Sequence, residues 1–310
     1  MKYGLKMFAG MLTVAMISAC SSDSSSGGSS EDETIKVTTT IAQIGNAVEE
    51  IGGEHVEVVS LMGPGIDPHL YQATQSDLKK LQNAEVIFYN GLNLEGQMHE
   101  VFENMSDHTP TVAIGDTLPD DVLREDMEDD NKTDPHIWFD IEIWKTAISN
   151  ITDTLSEEDP AHAEAYQQNE EAYFEELDEL HDYAKEQTAN IPENQRVLVT
   201  AHDAFNYFGN AYDMEVKGLQ GLSTDAEYGL ADIQDLVGTL VSKNIKAVFI
   251  ESSVSEKSIN AVIKGAEKQG HNVTIGGELY SDAMGEDGTE EGTYIGMYRH
   301  NVDTIVKALK

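Results

Sequence analysis

The 310-residue chain carries 57 acidic against 19 basic residues, a formal net charge of −38, and 40% of it is hydrophobic. A chain of this length and apolar content buries a large core and suits two domains or lobes. A polyanion of this size repels nucleic acid, which sets DNA and RNA aside as partners; the acidity reads as a solvated surface suited to a saline or alkaline exterior.

Along the chain, Lys2 and Lys6 precede a short apolar stretch, Met7 to Ile17, that ends in ISAC with Ser18 and Ala19 just before Cys20. This is the pattern of a bacterial lipoprotein signal over residues 1–19, cleaved before Cys20, whose thiol takes the lipid. The stretch is too short for an ordinary membrane-spanning helix. The expected location is extracytoplasmic, at the outer face of the cytoplasmic membrane. Cys20 is the chain's single cysteine, so intramolecular disulfides and thiolate metal sites are excluded. The serine, glycine and acids of SSDSSSGGSSEDE bury no apolar surface, and residues 20–34 are expected to be a flexible tether.

From residue 35 the chain alternates β-branched runs with amphipathic segments. Strands are expected at IKVTTT (35–40), HVEVVSL (55–61), EVIFYNG (85–91) and TVAI (111–114), then at RVLVTA (196–201), MEVKGL (214–219), KAVFIESS (246–253) and NVTIGGE (272–278). In LADIQDLVGTLVSKN the apolar residues Ile233, Leu236, Val237, Leu240 and Val241 recur at helical spacing. Apolar strands separated by such helices predict an α/β fold of mostly parallel sheet flanked by helices, and two series of strands predict two similar lobes, 35–158 and 192–310.

Between the series, residues 159–191 are polar, with Pro160 placed to start a helix and Pro192 beyond its end. Tyr166, Tyr173, Leu177, Leu180 and Ala184 share one helical face. About thirty helical residues at about 1.5 Å each span about 45 Å, enough to run the length of both lobes as one stiff connecting helix.

The tripeptide DPH occurs twice, in GIDPHLYQ and in KTDPHIWFD, although the chain has only 7 prolines and 10 histidines. In parallel α/β sheets, ligands bind beyond the carboxyl ends of the strands. His69 follows the second expected strand, His136 follows an acidic loop, His202 ends RVLVTA, and Asp282 follows NVTIGGELYS. Four candidate ligands thus fall on four loops, two in each lobe. Each also has an ordinary explanation: a histidine beside a strand is commonly a hydrogen-bonded structural residue, and Asp-Pro is a common turn opener. His162, His181 and His271 are expected to be solvated, and spacing alone does not separate His99 or His300 from the four.

The segments GPGIDPHLYQATQSDLKKL, YNGLNLEGQM, DPHIWFD, VLVTAHDAFNYFGNAY, GLQGLSTDAE, VFIESSVS and GGELYSDAMGEDGTEEGTYIGMYRHNVDTIV resemble the cluster A-I solute-binding lipoproteins of manganese and zinc ABC importers. The resemblance covers essentially everything after the tether. It implies two α/β lobes joined by one long helix, and a transported Mn2+ or Zn2+ ion, one per chain, held by His69, His136, His202 and Asp282. It also implies a monomer with no enzyme activity, delivering its ion to an ABC permease with a separate ATPase. GLQGLSTDAE has no physical role in this reading beyond shaping the cleft.

Three neutral imidazoles and a carboxylate suit a divalent first-row ion. Zinc outranks manganese at nitrogen-rich sites, so manganese selection must rest on geometry, chiefly a carboxylate binding through both oxygens, and on supply. Zinc receptors of the resembled family often carry a His-rich loop in the first lobe; Pro119 to Thr133 is acidic and lacks histidine, which favours manganese, with zinc next and iron open. A surface-tethered zinc hydrolase competes less well, because four protein ligands leave no position for water and HExxH is absent. An adhesin would need an exposed apolar patch that the sequence does not show. Since imidazoles bind metal only when deprotonated, affinity is expected to fall below about pH 6.

Overall fold

Runs of Val, Ile and Thr form strands because branched side chains pack well on a pleated surface. This computed structural model describes residues 34–125 and 132–310. The signal segment, Cys20 and the tether up to residue 33 lie outside the described residues, as does the middle of the acidic loop. The body Thr34–Lys310 packs as one compact unit.

The first lobe runs β1 (Ile35–Thr39), α1 (Ala42–Gly52), β2 (Val56–Ser60), α2 (Gln75–Asn83), β3 (Val86–Tyr89), α3 (His99–Ser106), β4 (Thr111–Ala113) and α4 (Ile141–Glu158). Its four strands form one parallel sheet in the order β2-β1-β3-β4. After α5 (Ala163–Thr188) come β5 (Val197–His202), α6 (Asn206–Ala211), β6 (Glu215–Gln220), α7 (Leu230–Lys243), β7 (Ala247–Glu251), α8 (Lys257–Lys268), β8 (Thr274–Leu279) and α9 (Tyr294–Leu309). All eight expected strands are present, and the ladders between them are parallel. In the second lobe, however, the ladders join only β5 to β6 and β7 to β8 among the described residues, while β5 lies beside β7.

Helix α5 has 26 residues, about 39 Å. It buries the face read from the sequence, Tyr166, Tyr173, Leu177, Leu180 and Ala184, and packs on α4, α1 and α9. It is shorter than the polar stretch because Asp159 and His162 form a turn first, with the His162 ring on the Asp159 carboxylate. His162, His181 and His271 are half-buried rather than solvated. His162 stacks on His55, His181 lies against the Tyr212 ring, and His271 Nε2 meets the Ile245 carbonyl at 2.6 Å.

One apolar core runs through both lobes, from Val37 and Phe88 through Trp138, Trp144 and Leu177 to Phe205, Leu279 and Tyr298. A smaller one, around Val199, Leu240, Val248 and Val262, lies between the second lobe's strands and α7 and α8. The lobes are also tied by hydrogen bonds at the floor of the cleft: Gln43 Nε2 and Trp138 Nε1 both donate to the Ser281 carbonyl, at 3.3 and 3.1 Å, and Tyr294 Oη donates to the Trp138 carbonyl at 2.6 Å. A shared core with a polar zip resists wide hinge opening.

Candidate metal centre

The parallel topology sends every strand's carboxyl end towards one side of its lobe, and the four loops carrying the candidate ligands leave from those ends. His202 is the last residue of β5, Asp282 follows β8, His69 follows β2, and His136 follows the long loop after β4. Folding brings all four together: one donor atom from each lies within 4.8 Å of the others, and all four residues are buried.

Asp282 is the hub. Its Oδ1 is 3.3 Å from His136 Nε2, while its Oδ2 is 3.5 Å from His202 Nε2 and 4.0 Å from His69 Nε2. The Nε2 atoms of His136 and His202 are 3.4 Å apart. Four donors arranged tetrahedrally about 2.1 Å from an ion lie about 3.4 Å from one another. The Nε2 atoms of His136 and His202 have that spacing to each other and each to one oxygen of Asp282, while His69 stands slightly off.

Two of the imidazoles are oriented by carboxylates on their far nitrogens. Asp134 Oδ1 lies 2.7 Å from His136 Nδ1 and accepts the His136 backbone N–H at 3.0 Å. Glu251 treats His202 the same way, Oε2 meeting the ring Nδ1 and Oε1 accepting the backbone N–H at 2.9 Å. Each carboxylate thus fixes both the ring and its backbone, leaving Nε2 pointing inward, and raises the basicity of the ring. His69 differs: its Nδ1 has no hydrogen-bond partner, and the Asp67 carboxylate accepts only its backbone N–H, at 2.9 Å. The same tripeptide is therefore used in two ways.

The charges follow from this geometry. Burial alone would lower the pKa of His136, but Asp134 and Asp282 outweigh it and raise the value to about 9. Burial acts on His202 in the same sense and is overcome by Glu251 and Asp282, so its pKa stands well above the ordinary one. His69 has no such partner on its ring, and burial drops its pKa to about 3. Burial works to raise the pKa of Asp282, yet the three imidazoles, His202 foremost, hold it well below the usual carboxylate range. Without metal, two imidazolium protons face the central carboxylate. A dication that displaces both leaves the net charge of the cluster unchanged.

Residues 37–308 match the family model for the zinc-uptake complex component A, periplasmic. The chain belongs to this family. It is 53% identical over 311 residues to the manganese-binding lipoprotein MntA of Bacillus subtilis (strain 168), covering 100% of both chains. It is 45% identical over 273 residues to the zinc-binding protein TroA of Treponema pallidum (strain Nichols), covering 88% of each. The solved structure of the periplasmic zinc-binding protein TroA from Treponema pallidum superposes with a TM-score of 0.86 at 44% identity, over 89% of this chain and 99% of that one. These likenesses bear out the sequence reading of a two-lobed α/β metal-binding component of an importer.

Sequence reasoning missed the residues that support the site. Glu251 carried a signal, an acid closing the buried apolar strand AVFIE at its carboxyl end. Asp134 was seen only as a turn opener; its second oxygen accepts from Asn206 Nδ2 at 3.2 Å and its carbonyl from Tyr207 Oη at 3.1 Å, so helix α6 of the opposite lobe braces it. Glu95, buried in the loop after β3, accepts from Thr40 Oγ1 at 2.6 Å and from the N–H groups of Asn90 and Gly91 at 2.9 and 3.2 Å. Asn90 in turn donates to the Pro135 carbonyl at 3.0 Å, steadying the residue before His136. Gly218 of β6 also has a steric role: a Cβ there would lie 2.4 Å from the backbone nitrogen of Asp203, so only glycine lets β6 pass the end of β5.

Glu251→Gln keeps the shape of the His202 brace and removes its charge. Affinity for Mn2+ or Zn2+ is expected to fall about 10–100-fold, read by competition against a chromophoric chelator. Unchanged affinity would reduce Glu251 to a packing residue.

Proposed function

We propose that the protein is an extracytoplasmic metal receptor. It takes one divalent transition-metal ion between its lobes, with His69, His136, His202 and Asp282 as ligands, and hands it to an ABC permease driven by a separate ATPase. The observation that carries this reading is the buried cluster of three inward-facing imidazoles around one carboxylate. The chain contains no GxxxxGK[ST] motif, so another subunit must supply ATP hydrolysis. Lipid on Cys20 holds the receptor at the outer face of the cytoplasmic membrane, in keeping with relatives named as lipoproteins; among the described residues no helix is long and apolar enough to cross a membrane. The receptor works as a monomer and has no enzyme activity: four protein donors converge on one point, and none of the four is left to act as a general base.

Mn2+ is the favoured ion and Zn2+ the next. Both oxygens of Asp282 face imidazoles, so the carboxylate can close on an ion through two bonds and raise the donor number beyond four. Zinc is content with four donors; manganese prefers more, and more of them oxygen. The relatives point the same way, with the 53% identical one named for manganese and the 45% identical one for zinc.

The test is elemental analysis of protein isolated from its native host, with competition titration of Mn2+ against Zn2+. The ion should also raise the thermal midpoint: at a free concentration about 1,000 times Kd it stabilises the fold by about 4 kcal/mol. Protein that carries neither ion, and whose melting neither ion shifts, would refute the receptor reading.

A further inference from the structure

Resting on that reading, we propose that a hydrogen bond between Thr224 and Asp67 is a latch that sets how fast the ion leaves. Thr224 Oγ1 donates to Asp67 Oδ2 at 2.6 Å, across the cleft between the two lobes. The other oxygen of the same carboxylate holds the His69 backbone N–H. Thr224 is therefore two hydrogen bonds away from a ligand without touching the ion.

Four independent features single out His69. Its Nε2 stands 4.0 Å from Asp282, whereas His136 and His202 approach to 3.3 and 3.5 Å. Its ring has no carboxylate on the far nitrogen, while those of His136 and His202 do. Among the four ligands only His69 borders the cavity of about 920 Å³ that opens from the cleft, whose walls include Gly218–Ser223 and Asp225–Tyr228. Its loop is exposed from Gly63 to Ile66, and among the described residues the Thr224–Asp67 bond is the hydrogen bond tying this loop to the opposite lobe.

The partner loop is built to hold Thr224 in place. Gln220 Nε2 donates to the carbonyls of Thr224 and Ala226 at 3.0 and 3.2 Å, and the Gly221 carbonyl accepts the Asp203 N–H, beside His202, at 3.4 Å. The segment GLQGLSTDAE thereby acquires a role. It keys one end of the loop to the His202 side of the site and the other, through Thr224, to the His69 side. A partner that pulls this loop away would cut the latch and loosen the loop that carries His69.

The test uses the full chain loaded with Mn2+ or Zn2+ and chased with excess chelator in a stopped-flow instrument. Thr224→Val keeps the buried shape and removes the donor, and is expected to speed dissociation about tenfold, whereas Thr224→Ser, which retains the hydroxyl, should stay within about twofold of wild type. Hydrogen exchange should quicken at residues 63–70 in the valine variant and remain unchanged around His136 and His202. Thr224→Ala carries the same expectation should the valine protein not fold. Wild-type dissociation from Thr224→Val, in a preparation whose parent binds the ion, overturns the latch alone. A parent that binds neither ion brings down the receptor reading, and this inference with it.

Discussion

Replacing Asp282 with alanine is expected to weaken Mn2+ or Zn2+ binding by about a thousandfold or more and to destabilise the metal-free protein at neutral pH. Both effects come from one side chain facing three imidazoles within 3.3–4.0 Å in a buried site. Loss of the carboxylate removes the one anionic member of the proposed ligand set. It also strands two imidazoles whose protons were held by it together with Asp134 and Glu251. Breaking a buried ion pair from one side costs about 3–5 kcal/mol, and about 4 kcal/mol corresponds to about a thousandfold in affinity. Competition titration reads the first effect and thermal melting at pH 7 without metal reads the second. Asp282→Asn, which keeps the shape, should show both losses. Wild-type affinity in either variant would remove Asp282 from the ligand set.

Acidification from pH 8 to pH 6 is expected to weaken binding by about two orders of magnitude per pH unit, the slope for an ion that displaces two protons. The two are those of His136, whose pKa is about 9, and His202, whose pKa also stands well above the ordinary value. His69 contributes none, because its pKa of about 3 leaves it neutral throughout. Reading the imidazoles as isolated groups put the fall below about pH 6; the carboxylates on their far nitrogens move it upward through neutrality. Titration calorimetry in buffers of different ionisation heat should count about two protons released per ion at pH 7. A flat affinity between pH 7 and 8 would defeat the argument.

The stability of the metal-free fold responds in a related way. For His136 the folded pKa of about 9 exceeds the ordinary 6.5, so its contribution is complete below pH 6.5 and is lost as pH rises through 9. For Asp282 the folded pKa lies below the ordinary 3.8, so its contribution is present above 3.8 and is lost as pH falls through the folded value. His69 acts in the opposite sense: its folded pKa of about 3 lies below the ordinary 6.5, so it costs stability as pH falls below 6.5, and the cluster helps the metal-free protein most near pH 6.5. In the proposed site, proton and metal are alternative occupants of one charge arrangement.

Strands, helices and the buried face of α5 were legible in the amino-acid order because period and branching are local properties, and so were the four candidate ligands, since each follows a strand or a turn signal. What local pattern could not reveal was which partner each ligand would take. The two DPH segments are identical as text, yet Asp134 binds the ring of its histidine while Asp67 leaves that ring bare and reaches Thr224 instead. Glu251 becomes the support of His202 only because β7 ends beside β5, a long-range adjacency. The chain by itself determined the residue types, the α/β periodicity and the strand ends at which the candidate ligands stand. Tertiary packing alone decided the inward direction of Nε2, the protonation of two of the three imidazoles and the looser hold on the third, because these depend on distances between segments that no spacing along the chain encodes.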